Sequence, residues 1–188
     1  MVPSVRDSSE TSLQFRDFTR ADIAAVHEYA SDPLVTRWST WGPNTLEQTA
    51  PFVEAAAEVI GEIRTGYSLA AVLNDNVIGS LAVWTKDFSN RNGELGYTFH
   101  RAHWGKGYAT ESVGELLRLG FNTLKLERIG AICHPDNMGS IRVLEKNGFT
   151  FEGRLRSHRA VRGTRRDSML FSILREEYAH RGNVRGAS

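Results

Sequence analysis

Cysteine is almost missing: the 188 residues contain one, Cys133. A single thiol excludes an internal disulfide, and with no companion cysteine a structural zinc site has no ligand set. Long apolar runs are missing too. None approaches the roughly 20 residues of a membrane span, and the opening MVPSVRDSSETS lacks the charged-then-apolar order of a secretory signal. These absences predict a cytoplasmic protein without a membrane partner. Neither sign of charge is in excess, since 23 Lys and Arg against 22 Asp and Glu leave +1. That balance excludes the global field of a dedicated nucleic-acid binder, so any basic patch is local.

What is present is a chain of single-domain length with room for a sizeable core. Residues 1–11, polar and without period, read as a flexible leader and residues 179–188 as a flexible tail, which leaves one domain over 12–178. LQFRDF (Leu13 to Phe18) alternates as a half-buried strand does, and Thr19 with Asp22 makes a capping-box pattern ahead of the helical IAAVHEYA. RWSTWGPNT (Arg37 to Thr45) has a loop composition and precedes a second helical stretch from about Leu46 to Ile63. The period then changes. SLAAVL and VIGSLAVWT flank Asn74-Asp75-Asn76 as a hairpin with a bulge expected at Gly79, and GELGYTFH (Gly93 to His100) follows as a third strand.

From Val113 to Leu124 apolar residues recur at helical spacing, and RIGAICH (Arg128 to His134) is again strand-like. SIRVLEKN reads as a helix closed by a left-handed Gly148, and two strands, roughly Phe149 to His158 and Asp167 to Leu174, surround a turn near Gly163. The strand–helix–strand unit across 93 to 134 requires one parallel pair in an otherwise mainly antiparallel sheet. The expected class is α/β of the α+β kind, a mixed sheet of about six or seven strands flanked by about four helices.

HRAHWGKGYATES (His100 to Ser112) places Gly105 and Gly107 around Lys106 at the start of the long helix. A strand ending in a glycine-containing turn that opens a helix aims unpaired backbone N–H groups and the positive end of the helix dipole at one point, which is an anion site, most plausibly for phosphate. Gly105 and Gly107 remove the Cβ atoms that would block access, and Lys106 adds a point charge at the rim. A P-loop is excluded because Lys106 is followed by Gly107 and no first glycine precedes it. A dinucleotide fingerprint fits poorly, because Thr110 stands where its third glycine belongs. A tight turn without ligand is the structural alternative.

The run WGKGYA (Trp104 to Ala109) resembles the acyl-CoA pyrophosphate loop of the GNAT superfamily of N-acetyltransferases, with Gly107 and Ala109 at the small positions and Trp104 in place of the usual Gln or Arg. Together with NMGSIRVLEKNGF and RRDSMLFSILREEY, the wording WGKGYATES is similar to the RimJ/RimL branch, over about Leu13 to Tyr178. The resemblance implies the GNAT fold, acetyl-CoA as cosubstrate without a metal, and transfer of an acetyl group to a primary amine by direct attack in a ternary complex. It implies a protein N-terminal α-amine of the ribosomal-protein type, or a small-molecule amine, as acceptor, and allows a homodimer. A non-catalytic acyl-CoA-binding sensor of the same fold is the alternative.

The resemblance also assigns residues. The loop Trp104, Gly105, Lys106, Gly107, Tyr108, Ala109 and Thr110 would hold the pyrophosphate, and backbone near Phe99 and Arg101 the pantetheine arm. Asn137 of the pattern Asn-x-x-Ser would bind pantetheine, while Ser140 would lie close to the CoA sulfur. Glu94 stands where many members place a general base, since the attacking amine must lose its proton. Each has a structural alternative: Glu94 as an exposed strand carboxylate, Asn137 or Asp136 as a helix cap with Ser140 in its first turn, Trp104 and Tyr108 as packing residues. Trp38 and Trp41 lie in the loop that in similar enzymes walls the acceptor pocket, or else cover the core.

Cys133 and His134 are adjacent on a strand and point to opposite faces, so they do not form a nucleophile–base pair, and Cys133 reads as a core residue. His100 and His103 lack further ligands for a metal. Arg154, Arg156, Arg159, Arg162, Arg165 and Arg166 crowd the last hairpin, either to attract an anionic group or as a solvated face.

Overall fold

Two changes of hydrophobic period, from helix to strand after the second helix and back again at the glycine turn, determine how the chain is laid out. The computed structural model describes residues 12–58 and 64–185. In chain order it contains β1 (Gln14–Asp17), α1 (Ile23–Ala30), α2 (Leu46–Ala57), β2 (Gly66–Leu73), β3 (Asn76–Asp87), β4 (Asn92–Phe99), α3 (Tyr108–Arg118), β5 (Arg128–Cys133), α4 (Met138–Lys146), β6 (Thr150–Val161), β7 (Thr164–Leu174) and α5 (Arg175–Arg185). The expected helix from Leu46 ends at Ala57, and most of its remaining reach, residues 59–63, lies outside the described residues, as does the leader 1–11. α5 is a helix that the pattern of the sequence did not suggest, because its apolar positions are few; Tyr178 anchors it by stacking on Phe121 at 5.0 Å. Among the described residues no helix is long and apolar enough to cross a membrane.

The strands form one sheet in the order β1-β2-β3-β4-β5-β7-β6. Its pairs are antiparallel except β4 and β5, which run parallel as the connection through α3 demands. Asn74 and Asp75 take left-handed φ values of 49° and 62° in the two-residue β2–β3 turn, the geometry that matches strand twist. The bulge of this hairpin falls at Ile78, beside Gly79, where Ala71 pairs Gly79 and Val72 pairs Val77. Gly79 itself is needed for close packing, since a Cβ there would lie 2.5 Å from the Thr98 carbonyl oxygen.

Alternation along the strands divides the core between the two faces of the sheet. Leu69, Ala71, Leu81, Leu95, Ala131 and Phe171 pack against Val113, Leu116 and Leu117 of α3 and Ile141 and Leu144 of α4. On the other face Ala70, Val72 and Val77 meet Val26, Tyr29 and Ala30 of α1 and Val53 of α2. α3 and α4 thus share one face, and the α1–α2 segment covers the opposite one.

Candidate active site

β4 and β5 pair only from Asn92 with Arg128 to Leu95 with Ala131, although β4 continues to Phe99 and β5 to Cys133. Their outer edges stay paired, β4 with β3 as far as Phe99 and β5 with β7 as far as Cys133. The two inner edges therefore separate, and backbone groups that a continuous sheet would pair are left facing each other. His100 N–H donates to Ile78 C=O at 2.8 Å, so by alternation the Phe99 N–H and C=O point over this opening. The opening is the floor of a cavity of about 1250 Å³ lined by both strands, the starts of α3 and α4, and the α1–α2 segment.

At one end of the cavity α3 begins. Gly105 and Gly107 adopt φ of +75° and +90°, and no heavy atom lies within 4 Å of the Cβ position at either. The first intrahelical bond is Glu111 N–H to Gly107 C=O at 3.1 Å; the N–H groups of Tyr108, Ala109 and Thr110 thus lack an intrahelical acceptor and carry the positive end of the dipole. Asn147, nearly buried, fixes this turn by donating to the Thr110 carbonyl at 3.1 Å. An open glycine cradle at a helix N-terminus fits a pyrophosphate. Trp104 folds the loop back on β4, its Nε1–H donating to Phe99 C=O at 2.8 Å. Arg101 and Lys106 do not line the cavity, and the Arg101 guanidinium pairs with Asp32 at 2.8 Å.

Glu94 and Ser140 line the same cavity from opposite faces of the sheet. Glu94 pairs in register with Trp84 and Gly130, which puts its side chain on the α1–α2 face. Its Oε2 accepts from Lys86 Nζ at 2.6 Å, Arg159 Nη2 stands 3.9 Å from Oε1, and the side chain is 14% exposed. On the other face, the Tyr97 hydroxyl lies 2.9 Å from Ser140 Oγ. Ser140 N–H donates to Asn137 Oδ1 at 3.2 Å, so Asn137 caps α4 and thereby aims the serine. Desolvation holds the Tyr97 hydroxyl well above its ordinary pKa, against the opposing hydrogen bond to Ser140. Burial likewise pushes the Cys133 thiol up to about 11, again opposed by Ser140. All three groups stay protonated at neutral pH, and Cys133 lies in the core as expected.

The far wall is built by the loop after α1. Trp38 is sandwiched between the Arg37 guanidinium, 4.4 Å from its ring centre, and the His134 ring, 4.4 Å away and tilted by 24°. Its faces are therefore spent on the protein, whereas Trp41 remains 40% exposed. His134 Nδ1 accepts the Asp136 N–H at 3.1 Å, which places the proton of the neutral ring on Nε2. Burial holds the His134 pKa below its usual value; Asp136 opposes this, and Arg166 and Arg37 add to it.

Three arrangements here had only partial sequence signals. Tyr97 sits in the core phase of β4 between Leu95 and Phe99, where a lone hydroxyl was the only sign of a polar task. Arg162 Nη2 donates to the carbonyls of Thr36 at 3.3 Å and Trp41 at 3.2 Å, and to that of Gly42. Arg166 Nη1 donates to Arg37 C=O at 3.1 Å. The arginine run of the last hairpin thus straps the wall loop in place; backbone carbonyls have no sequence signature, so the run could only be read as charge.

Residues 12–150 match the family model for the acetyltransferase (GNAT) domain. The chain is 34% identical over 169 residues to the uncharacterised N-acetyltransferase p20 of Bacillus licheniformis, covering 89% of this chain and 95% of that one. Its fold superposes on the crystal structure of a GNAT-family acetyltransferase from Bacillus anthracis with a TM-score of 0.76 and 32% identity, covering 88% of this chain and 96% of the other. The spermidine N-acetyltransferase of Vibrio cholerae, solved with CoA and spermine, shares the fold at a TM-score of 0.76 and 19% identity, over 89% and 98% of the two chains.

Proposed function

Because the chain belongs to the GNAT acetyltransferase family and is an N-acetyltransferase, we propose that it binds acetyl-CoA along the β4–β5 opening and acetylates a primary amine presented beside Glu94. The observation that carries this reading is the early end of the β4–β5 ladder, which joins the α3 anion cradle to Glu94 on one face and Ser140 on the other. We assign it to the RimJ/RimL-like branch on the motif NMGSIRVLEKNGF, whose Asn137 and Ser140 are joined in one cap.

Acetyl-CoA, when bound, supplies an activated thioester. The α3 amides and the Gly105–Gly107 cradle hold its phosphates, and the unpaired edges of β4 and β5 receive the amide-bearing arm as an added strand. Glu94 takes the proton that makes the amine nucleophilic. Ser140, oriented by Asn137 and backed by Tyr97, holds a proton on the opposite side, where negative charge on the departing sulfur is neutralised. Trp38, Trp41 and the strapped loop wall the acceptor end, where a small-molecule amine or a protein N-terminal amine would enter. The sensor alternative needs neither Glu94 nor Ser140 at the cleft, and both line it.

The test is thiol release from acetyl-CoA with a panel of amines. Glu94→Gln should lower kcat by about 100-fold and Ser140→Ala by roughly tenfold or more, while calorimetric affinity for acetyl-CoA changes less than about twofold. Unchanged rates in both variants would remove these assignments, and binding without release for any amine would leave the sensor.

A further inference from the structure

Resting on the transfer reading above, we propose that the acceptor is an amino carboxylate with an apolar body, its carboxylate received by Arg159 beside Glu94. β6 is shifted in register between Leu155, which pairs Ser168, and Arg159, which pairs Arg166. Asp167 stabilises the resulting bulge, accepting from Ser157 N–H and from Arg154 Nε, each at 2.7 Å. A bulge beside a site re-aims a side chain, and this one delivers Arg159 to the cavity that Glu94 lines.

Arg159 arrives there with its hydrogen-bonding capacity unspent. Its contact with Glu94 Oε1, at 3.9 Å, is beyond hydrogen-bond length, and Glu94 is already held by Lys86. Asp167 is likewise committed to Arg154 and Ser157. Glu94 and Asp167 thus have hydrogen-bond donors, whereas the Arg159 guanidinium, a fork shaped for a carboxylate, has only its 3.9 Å ion pair with Glu94. A polyamine would bring more positive charge to Arg159 and Arg166, and the carboxylates beside them, Glu94 and Asp167, already have donors.

The spacing narrows the class further. Glu94 and Arg159 are close enough that an amine on one and an anion on the other can sit on the same or neighbouring carbons, as in an α- or β-amino acid. A peptide N-terminus carries a neutral amide at that place, whose carbonyl can accept one hydrogen bond but offers the guanidinium no charge and no second oxygen. For the remainder of the ligand the cavity offers Leu34, Trp41, Phe52 and Trp84, each at least 38% exposed, a concentration of uncovered apolar surface that suits a leucine- or phenylalanine-sized body.

The experiment measures acetyl-CoA-dependent thiol release with phenylalanine, leucine, phenylalaninamide, phenethylamine and spermidine, on wild type and Arg159→Gln. The expected result is a kcat/KM for phenylalanine or leucine about tenfold or more above those for the amide, the phenethylamine and spermidine. Arg159→Gln should erase that preference by raising KM for phenylalanine and leucine by about tenfold or more relative to its effect on phenethylamine. Equal or better use of phenylalaninamide, which mimics a protein terminus, or of spermidine overturns the proposal, as does failure of every amine while acetyl-CoA still binds by calorimetry. Loss of acetyl-CoA binding itself would instead overturn the underlying transfer reading.

Discussion

Tyr97 shows how a single hydroxyl changes the task of a core position. Its ring packs with the α3–α4 side of the sheet, but its oxygen reaches Ser140 Oγ at 2.9 Å, and burial keeps it protonated. Tyr97→Phe keeps the ring and removes the bond. It should cost about 1 kcal/mol of stability or less yet lower kcat about tenfold, with KM for acetyl-CoA within about twofold; an unaltered kcat would make the hydroxyl structural. Asp22 gives a prediction of the opposite kind, on stability alone. It is nearly buried at 5% exposure and accepts from Arg16 at 2.7 and 2.8 Å and from Thr19 N–H at 2.8 Å. The Arg16 hydrogen bond, above all, holds its carboxyl below the usual range, against desolvation. A depressed folded pKa means that the stabilisation is complete above the unfolded value of about 3.9 and is lost as pH falls through the folded one. Asp22→Asn should destabilise by on the order of 2 kcal/mol at neutral pH and flatten the acid limb of a melting-temperature profile. Of these residues, the sequence marked Asp22 through its capping box with Thr19, and Glu94 and Ser140 through resemblance. Tyr97 stayed hidden because alternation reports burial and not which atom is satisfied.

At the scale of elements, the helix after Gly107 and the strap across the wall loop make contrasting cases. The glycine turn was legible because only φ values near +75° and +90° fit that chain reversal, and glycine is the residue that adopts them without cost. The β2–β3 and β6–β7 hairpins were legible for the same reason, from their polar turn residues. The strap was not, since Arg162 acts on the carbonyls of Thr36, Trp41 and Gly42 across more than a hundred residues of sequence. Arg162→Met keeps the aliphatic stem and releases those carbonyls. Amide hydrogen exchange across 36–44 should then accelerate about tenfold or more, as the loss of one or more hydrogen bonds to a charged donor implies, with exchange in α3 unaltered. Equal exchange in wild type and variant would show that the wall is held without Arg162, by Trp38 stacking and the Arg166 bond. The same variant should raise KM for the amine more than KM for acetyl-CoA, because the strap borders only the acceptor end.

Across the whole molecule, one interruption organises the function. A sheet of seven strands with helices on both faces would be closed, were the β4–β5 ladder to continue past Leu95 and Ala131. Ending it there leaves backbone edges for one ligand and connects the two faces, so a carboxylate on the α1–α2 side and a hydroxyl on the α3–α4 side line one cavity. Element order and the parallel pair could be read from the period of the sequence. The opening could not be read from that period, because pairing between strands ends through three-dimensional splay and leaves no mark in either strand's composition; only the resemblance, which placed the pantetheine arm along backbone near Phe99 and Arg101, pointed to it. The most direct measurement is calorimetric titration of acetyl-CoA, with NADH as control, into wild type and Gly107→Val. We predict selective binding of acetyl-CoA by the wild type and loss of at least tenfold in affinity in the variant, whose new side chain is strained at φ +90°. Absence of acetyl-CoA binding, or equal binding by the correctly folded variant, would contradict the assignment of the glycine turn and the opening it serves.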